Sequence, residues 1–159
     1  DRSDVREPGG VGPMSELAVE PELPLEKWRA EAGRAHEAGH TWFGWLTAFD
    51  AGEGDLVVLA QVADPSVPGS LRARTLVTRV RPGERLESLT SIYPGAAWCE
   101  RETAELFGLA VEGFEDPSGL GLRRLLLPPD VEGHPLRKDF TRPSGEPTPV
   151  QTPTQGGAP

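Results

Sequence analysis

Proline and glycine confine the foldable part of this chain to its middle. Residues 1–24 hold four prolines and three glycines, and residues 141–159 hold five prolines, three glycines and almost no large apolar side chain. Such segments cannot bury enough surface to offset the conformational entropy lost on ordering. We therefore predict a disordered segment over 1–24, one folded domain over 25–140, and a tail over 141–159 that is disordered or wrapped on a partner.

Charge and cysteine content narrow the classes of function. The formal net charge is −9 at pH 7, which argues against a nucleic-acid binder, because such proteins need clustered Lys and Arg. No run approaches the ~18 to 20 apolar residues of a spanning helix, and no stretch resembles a signal peptide. The single cysteine, Cys99, excludes an internal disulfide and a cysteine-rich metal site. We expect a location on the cytosolic side of a membrane, and Met14 is a candidate natural start.

Hydrophobic periodicity predicts an α+β domain. Helical spacing of apolar residues predicts helices over Leu25–Gly39 and Ala96–Phe107. Apolar runs predict a strand buried on both faces over Asp55–Ala63 and another over Leu71–Arg81, where the alternation shifts near Thr75 and indicates a bulge or a change of face. The order of elements favours a two-layer domain, with helices packed on a small mixed β-sheet and an extended C-terminal segment.

The second predicted helix carries four charged residues. Its expected inner face is formed by Ala96, Cys99, Thr103 and Leu106, so Cys99 is more readily a small core residue than a nucleophile. The charged side chains should lie mostly outside that face, with Arg101 and Glu105 forming an i,i+4 ion pair. Glu100 and Glu102 point apart on a helix, which favours surface ion pairing over a catalytic carboxylate pair.

The segment His36–His40 reads HEAGH, which fits the zinc-peptidase pattern H-E-x-x-H. That site needs both histidines on one continuous helix. Gly39 is the expected helix end, so His40 should leave the helical register and the pair should not chelate zinc. The alternative is an exposed helix end where cationic histidine is mildly favoured.

Gly133–Phe140 reads GHPLRKDF and carries a dense set of charged and apolar residues. Pro135 disfavours helix at His134, and the charges of Arg137, Lys138 and Asp139 can form charge-assisted hydrogen bonds with a partner. Leu136 and Phe140 can anchor such a contact. The competing interpretation is a structural turn that ends the domain.

Several short motifs occur in the order typical of a known protein family. The motifs are Trp98 with ERE at 100–102, LFGL at 106–109, LRRLLLP at 122–128 and GHPLRKDF at 133–140. Together they resemble the C subunit of NADH-quinone oxidoreductase, the 30-kDa subunit family of respiratory complex I. Weaker agreement extends upstream to Thr41. Between Phe114 and Leu122 this chain has a longer loop without the histidine usual in the family.

The resemblance implies an accessory role. Subunits of this family hold no flavin, iron–sulfur cluster or metal, and they pack beside the 49-kDa (D) subunit and the cluster-carrying subunits of the peripheral arm. The assembled enzyme uses FMN, iron–sulfur clusters, NADH and quinone, and couples electron transport to proton translocation. The expected partner-facing residues are Glu100, Arg101, Glu102, Phe107, Arg123, Arg124, His134, Pro135, Leu136, Arg137, Lys138, Asp139 and Phe140.

Two alternatives stay open. One is the equivalent subunit of a membrane-bound hydrogenase related to complex I, whose local motifs overlap with these. The other, of a different class, is a small zinc peptidase built on HEAGH. The chain itself argues against a cofactor site of its own, since one cysteine cannot supply the roughly four thiolates of a cluster and no dinucleotide fingerprint is present.

Overall fold

The computed structural model describes residues 18–19 (backbone only), 21–66, 72–116 and 118–141. A short 3-10 turn at Leu25–Lys27 leads into the first helix. In chain order the regular elements are β1 (Ala18–Val19), α1 (Trp28–Glu37), β2 (Trp42–Gly52), β3 (Asp55–Asp64), β4 (Arg72–Val80), β5 (Leu86–Glu87), α2 (Ala96–Phe107) and β6 (Val111–Glu112).

The main sheet has the strand order β1-β4-β3-β2, with β1 parallel to β4 and the other neighbours antiparallel. A second, two-stranded sheet pairs β5 with β6 in parallel. The predicted α+β architecture with a small mixed sheet is therefore confirmed. Strand β3 lies in the interior of the main sheet, and most of its side chains on both faces are buried, as the apolar run predicts.

Strand β2 is the element that periodicity does not reveal. Its pairing with β3 shifts between Phe43 and Trp45, so Gly44 is an extra residue that places Trp42 and Trp45 on the same face. The following hairpin turns at Glu53 and Gly54, whose φ angles are 54° and 87°. Two successive positive φ values suit the right-handed twist of a tight hairpin.

The expected irregularity near Thr75 is not a bulge. β3 and β4 pair without a register shift from Leu56 opposite Val80 to Asp64 opposite Arg72. Thr75 and Leu76 are both buried, although successive residues of a strand point to opposite faces of the sheet. The loss of alternation in the sequence therefore reflects burial on both sides of an interior strand.

Backbone pairing begins before Leu25, the predicted start of the folded domain, and the boundary itself stays a prediction. Ala18 and Val19 pair with Arg74 and Thr75, and Leu23 donates its N–H to the Val77 carbonyl at 2.7 Å. These residues add a short parallel edge to β4, which satisfies backbone groups and orders a stretch whose composition alone predicts disorder. The rest of the expected disordered segments, at 1–17 and 142–159, lies outside the described residues.

Both helices pack on one face of the main sheet. Trp28, Ala32 and Ala35 of α1 are fully buried against core residues such as Leu46, Val58 and Leu76. Helix α1 ends at Glu37, and Gly39 has φ 102° in the turn that follows. Helix α2 spans the predicted residues and ends at Gly108, whose φ of 71° is the left-handed conformation of a C-terminal cap.

The opposite face of the main sheet has no helix on it among the described residues. Trp42, Trp45 and Phe49 point outward there, and the exposed fractions of these side chains are 49%, 36% and 50%. Within the described part of the chain, neither helix has the length and apolar character needed to cross a membrane.

Candidate docking site at the end of α2

Helix α2 turns three of its four charged side chains inward. Glu100 is fully buried, and its carboxylate accepts hydrogen bonds from Ser88 Oγ at 2.6 Å and from the Leu89 N–H at 2.7 Å. Burial raises the pKa of the Glu100 carboxyl, although both hydrogen bonds oppose that rise. The predicted surface ion pairing of Glu100 is therefore wrong.

Arg101 is also buried, and it reaches a loop rather than Glu105. Its Nε donates to the Gly121 carbonyl at 2.7 Å, its guanidinium forms an ion pair with Asp116, and it lies 5.1 Å from the Phe114 ring centre. The Ser118 hydroxyl, with further backbone donors, lowers the pKa of Asp116 to about 2. The predicted Arg101–Glu105 pair is wrong, because the loop supplies a better-placed carboxylate and a carbonyl.

Glu105 holds the segment that follows this loop. Its carboxylate accepts hydrogen bonds from three successive backbone N–H groups, those of Leu125, Leu126 and Leu127, at 2.7–2.8 Å. Burial by itself would raise the pKa of the Glu105 carboxyl, but the three donors and nearby Arg124 hold it below its usual value. Glu105 therefore acts as an anchor inside the chain, contrary to its predicted outward position.

The contacts of Arg101 and Glu105 hold one loop against the side of α2. Gly121 is fixed beside Arg101, and Leu125–Leu127 are fixed beside Glu105 one turn later. Arg124 stabilises the bend beyond, because its guanidinium donates to the carbonyls of Pro128 and Val131 at 3.1 and 2.7 Å. As a result, the side chains of Leu122 and Leu126 are left pointing to the surface.

GHPLRKDF is hydrogen-bonded to the C-terminal end of α2. His134 Nδ1 lies 2.8 Å from the Glu105 carbonyl oxygen, and the Leu136 N–H donates to the Leu106 carbonyl at 3.0 Å. Gly108 makes this approach possible, because a Cβ at that position would lie 2.6 Å from His134 Cδ2. Phe140 packs in turn against the backbone of Gly133.

The charges of GHPLRKDF are partly used inside the chain. Arg137 donates to the Gly54 carbonyl at 3.0 Å and lies 3.6 Å from Asp50, both in the β2–β3 hairpin. The Lys138 N–H donates to the Asp50 carboxylate at 2.9 Å, and this hydrogen bond, with one from the Gly52 N–H, lowers the pKa of Asp50. The guanidinium of Arg137 is therefore already paired with the hairpin, and its contact with a partner stays a prediction.

The thirteen predicted partner-facing residues fall into three groups. Glu100 and Arg101 are buried, whereas Phe107, Pro135, Arg137 and Phe140 are half-buried. The exposed members are Glu102, Arg123, Arg124, His134, Leu136, Lys138 and Asp139. Contact between any of them and a partner stays a prediction.

Exposed apolar side chains gather around these residues. Trp98, Leu126 and Leu136 have 58%, 58% and 50% of their area exposed, and Leu122 is also exposed. Trp98 lies over Arg101, which binds Gly121, so it adjoins Leu122. We name this region the α2-end surface and define it by Trp98, Glu102, Leu122, Arg123, Leu126 and Leu136.

Sequence reasoning did not find Asp50, Asp116 or the anchoring role of Glu105. Asp50 stands directly before the hairpin turn, and Asp116 stands in the loop that departs from the family pattern. Their long-range partners, Lys138 for Asp50 and Arg101 for Asp116, lie 88 and 15 residues away, beyond the reach of periodicity.

The HEAGH segment adopts the expected helix end. His36 is on α1 and its ring packs edge-on to Tyr93 at 5.3 Å, whereas His40 follows the helix and accepts a hydrogen bond from the Tyr93 hydroxyl on its carbonyl at 2.9 Å. No group of three or more His, Cys, Asp or Glu residues suited to a metal ion occurs within residues 21–66, 72–116 and 118–141. Cys99 packs half-buried against the core.

Comparison with known proteins agrees with the family resemblance that the motifs carry. The family described as "Respiratory-chain NADH dehydrogenase, 30 Kd subunit" matches residues 22–146. The J subunit of NAD(P)H-quinone oxidoreductase from Synechococcus sp. (strain WH7803) is 34% identical over 149 residues, which cover 88% of this chain and 76% of that protein.

Two other relatives match a smaller part. The C subunit of NADH-quinone oxidoreductase from Salinispora tropica is 40% identical over 54% of this chain, and the match spans 32% of that protein. The C/D subunit of NADH-quinone oxidoreductase from Klebsiella pneumoniae subsp. pneumoniae is 42% identical over 43% of this chain. That match spans only 11% of the Klebsiella protein.

Solved structures show the same fold. A trypsin-resistant fragment of Nqo5 superposes with a TM-score of 0.53 at 22% identity, covering 62% of this chain and 79% of that one. A chain of the membrane-bound sulfane sulfur reductase, an archaeal respiratory membrane complex, gives a TM-score of 0.62 at 25% identity, covering 82% and 79%. The family match extends over most of the described residues and confirms the resemblance read from the motifs. The chain belongs to the 30-kDa subunit family of respiratory-chain NADH dehydrogenase.

Proposed function

We propose that this chain is a non-catalytic structural subunit in the peripheral arm of a proton-translocating NADH:quinone oxidoreductase. In this role it docks on the 49-kDa (D) subunit and supports electron transfer from NADH to quinone without an active site of its own. The observation that carries the proposal is the family match over residues 22–146. The Klebsiella relative supports the choice of partner, because its name joins C with D in one protein.

The α2-end surface is the part of the chain best suited to that docking. Interfaces are typically centred on apolar and aromatic side chains with arginine near them, and Trp98, Leu126 and Arg123 of this surface are all exposed. The hydrogen bonds of Arg101 and Glu105 hold the exposed leucines on a fixed backbone. A preorganised surface loses little conformational entropy when a partner binds.

The cofactors of the assembly belong to other subunits in this proposal. FMN, the iron–sulfur clusters, NADH and quinone would be bound by neighbouring chains. This chain would sit peripherally on the cytoplasmic face of the cell membrane through its protein partners.

Co-expression with the D-subunit homologue of the same organism tests the docking. We expect Leu126→Glu to reduce recovery of the tagged chain with D by at least tenfold, since burying an unpaired charge at an interface costs several kcal/mol. Thr41→Glu adds the same charge before β2 and should leave recovery unchanged. Equal recovery of the two variants would exclude the α2-end surface, and no recovery of the unchanged chain would contradict the partner.

The equivalent subunit of a complex-I-related membrane-bound hydrogenase is the second candidate. The likeness to a chain of an archaeal respiratory membrane complex other than NADH-quinone oxidoreductase favours it. Purification of the tagged chain from native membranes separates the two, because flavin- and NADH-binding subunits accompany the first and a hydrogenase large subunit accompanies the second.

A further inference from the structure

Strand β2 is an edge strand whose outer side has no partner strand among the described residues. The order β1-β4-β3-β2 places it at one end of the main sheet, where it pairs with β3 alone. Within the described part of the chain, the backbone hydrogen bonds of turns and loops do not involve residues 42–49. The free side of an antiparallel edge presents N–H and C=O groups at alternate residues, and these groups can pair with a further strand.

The sequence of β2 does not protect this edge. Exposed edge strands are usually short, or they carry lysine, proline or an inward-pointing charge that blocks further pairing. β2 spans eleven residues, Trp42–Gly52, without lysine or proline, and its one charged residue is Asp50 near the hairpin end. The bulge at Gly44 lies towards the other end, so residues 45–50 form a regular run of strand. This run can accept another strand.

The side chains of the regular run are arranged almost symmetrically about Thr47. Trp45 and Phe49, both aromatic, lie two residues away on either side. Leu46 and Ala48, both aliphatic, are its direct neighbours. The two aromatic residues and the threonine are exposed on the outer face, whereas the two aliphatic residues are buried on the inner face. A second copy of this segment, in antiparallel orientation, therefore places side chains of the same kind opposite each other.

We propose that two copies of this chain associate through their β2 edges, antiparallel and centred on Thr47, so that their main sheets join into one. In this arrangement Thr47 faces its own copy across a two-fold axis, and Trp45 of each copy faces Phe49 of the other. Aromatic pairs and threonine pairs that lie directly opposite each other stabilise antiparallel sheets. The axis closes the assembly at two copies, because both contribute the same edge.

The charge of the chain is compatible with this contact. Each copy has a net charge of −9, but residues 45–49 include no charged side chain. In the proposed register the two Asp50 residues are offset by six positions, about 20 Å, which exceeds the Debye length of ~8 Å at physiological salt. Five residue pairs bury less area than a permanent interface, so the association should be weak and reversible. It concerns the free chain and does not depend on the D subunit as a partner.

Sedimentation equilibrium of the full chain tests the association. We expect the average mass to rise with concentration from that of one copy towards that of two. Thr47→Lys places like charges opposite each other at the axis, and it should raise the dissociation constant of the dimer by about tenfold or more. Gln61→Lys is the matched control, because Gln61 lies opposite Trp45 on β3, one strand further from the edge. Its dissociation constant should be unchanged.

A disulfide tests the register. In a Cys99→Ala chain, Thr47→Cys should cross-link two copies in the presence of oxidised glutathione. Residues directly opposite in an antiparallel pair have Cα atoms about 4.5–5.5 Å apart, which suits a disulfide. Phe49→Cys is the control on the same face, since two copies of this position are offset by four residues, about 14 Å. That variant should stay without a cross-link.

Three outcomes would overturn the proposal. The first is a chain that stays a single copy at every concentration, and the second is equal cross-linking of the Thr47→Cys and Phe49→Cys variants. The third is loss of association in Gln61→Lys as well as in Thr47→Lys, which would indicate that the outer faces of two sheets stack instead. The thermal midpoint of Thr47→Lys should match that of the unchanged chain, because Thr47 is exposed. If that variant is unfolded, the cysteine pair decides the question.

Discussion

Two glutamates of the same helix are placed in opposite electrostatic settings. Glu100 is enclosed among the core and has two donors, whereas Glu105 has three backbone N–H groups aimed at its carboxylate. The pKa of Glu100 is raised mainly by burial, and that of Glu105 is lowered by its donors against the effect of burial. The helix therefore contains one carboxyl that favours its protonated form on folding and one that favours its charged form.

Glu105→Gln should destabilise the chain by about 2 kcal/mol. The amide has one carbonyl oxygen, so it cannot accept all three N–H bonds, and hydrogen bonds to a charged group contribute about 1.5–3 kcal/mol. Urea unfolding measures the difference. Glu102→Gln removes an exposed carboxylate from the same helix and should stay within about 0.5 kcal/mol of the original. Equal stability of both variants would show that the three contacts contribute nothing to folding.

Glu100→Gln should gain stability relative to the unchanged chain as pH rises. A carboxyl whose pKa is raised on folding binds protons more readily in the folded state. Its contribution is complete below the unfolded pKa of about 4.3 and is lost as pH rises through the folded value. Unfolding free energies of both proteins between pH 4 and 7 measure this, and a difference that does not change with pH would contradict the raised pKa.

At the scale of elements, glycine sets how closely GHPLRKDF approaches α2. Gly108→Ala should cost more than the roughly 1 kcal/mol of placing alanine at positive φ, because its Cβ also meets the His134 ring. Gly113 has φ 67° with nothing within 4 Å, so Gly113→Ala isolates the backbone cost. Thermal unfolding compares the two. Adding His134→Ala should recover part of the loss in Gly108→Ala only, and equal losses in both alanine variants would contradict the close contact.

Arg137 joins GHPLRKDF to the β2–β3 hairpin. Arg137→Ala should lower the free energy of unfolding by about 1–3 kcal/mol, because the Gly54 carbonyl and Asp50 lose their charged partner. Lys138→Ala keeps the backbone donor to Asp50 and should change stability by less than about 0.5 kcal/mol. Chemical denaturation of each variant measures the effect. A normal unfolding midpoint in Arg137→Ala, together with lost recovery on the D subunit, would instead support the prediction that Arg137 is a docking residue.

The regular elements were predictable to different degrees. α2 and β3 have one clear period or one apolar run, and both were found with nearly correct ends. β2 was not found, because Gly44 interrupts its alternation. The inward charges of α2 were placed on the wrong face because a helical period sorts residues by polarity alone. A helical period does not reveal that Arg101 pairs with the carboxylate of Asp116, fifteen residues later in a loop.

At the scale of the whole molecule, the family could be recognised from short motifs while their contacts could not. The motifs ERE, LFGL, LRRLLLP and GHPLRKDF meet in space along α2, where hydrogen bonds of Arg101, Glu105 and His134 hold them together. The resemblance identified the family, but a linear sequence does not reveal which charges face the interior.

The isolated chain should bind neither zinc nor a redox cofactor. HEAGH leaves its helix before His40, and a single cysteine cannot hold a cluster. Metal analysis and an absorbance spectrum of the chain, refolded in the presence of zinc, check this. Zinc held at one ion per chain and lost in His36→Ala would contradict the first expectation, and a visible chromophore at one per chain would contradict the second.

The hydrogen bond from the Lys138 N–H to the Asp50 carboxylate joins residues 88 positions apart, and this has a consequence for synthesis of the protein. At about 5–20 residues per second, a ribosome makes the β2–β3 hairpin several seconds before it makes the segment that closes on it. During that interval the Asp50 carboxylate and the Gly54 carbonyl remain in water. Formation of the contacts of Arg137 and Lys138 with the hairpin is thus among the last steps of folding. A nascent chain interrupted before Arg137 would expose the hairpin without these contacts to chaperones and proteases.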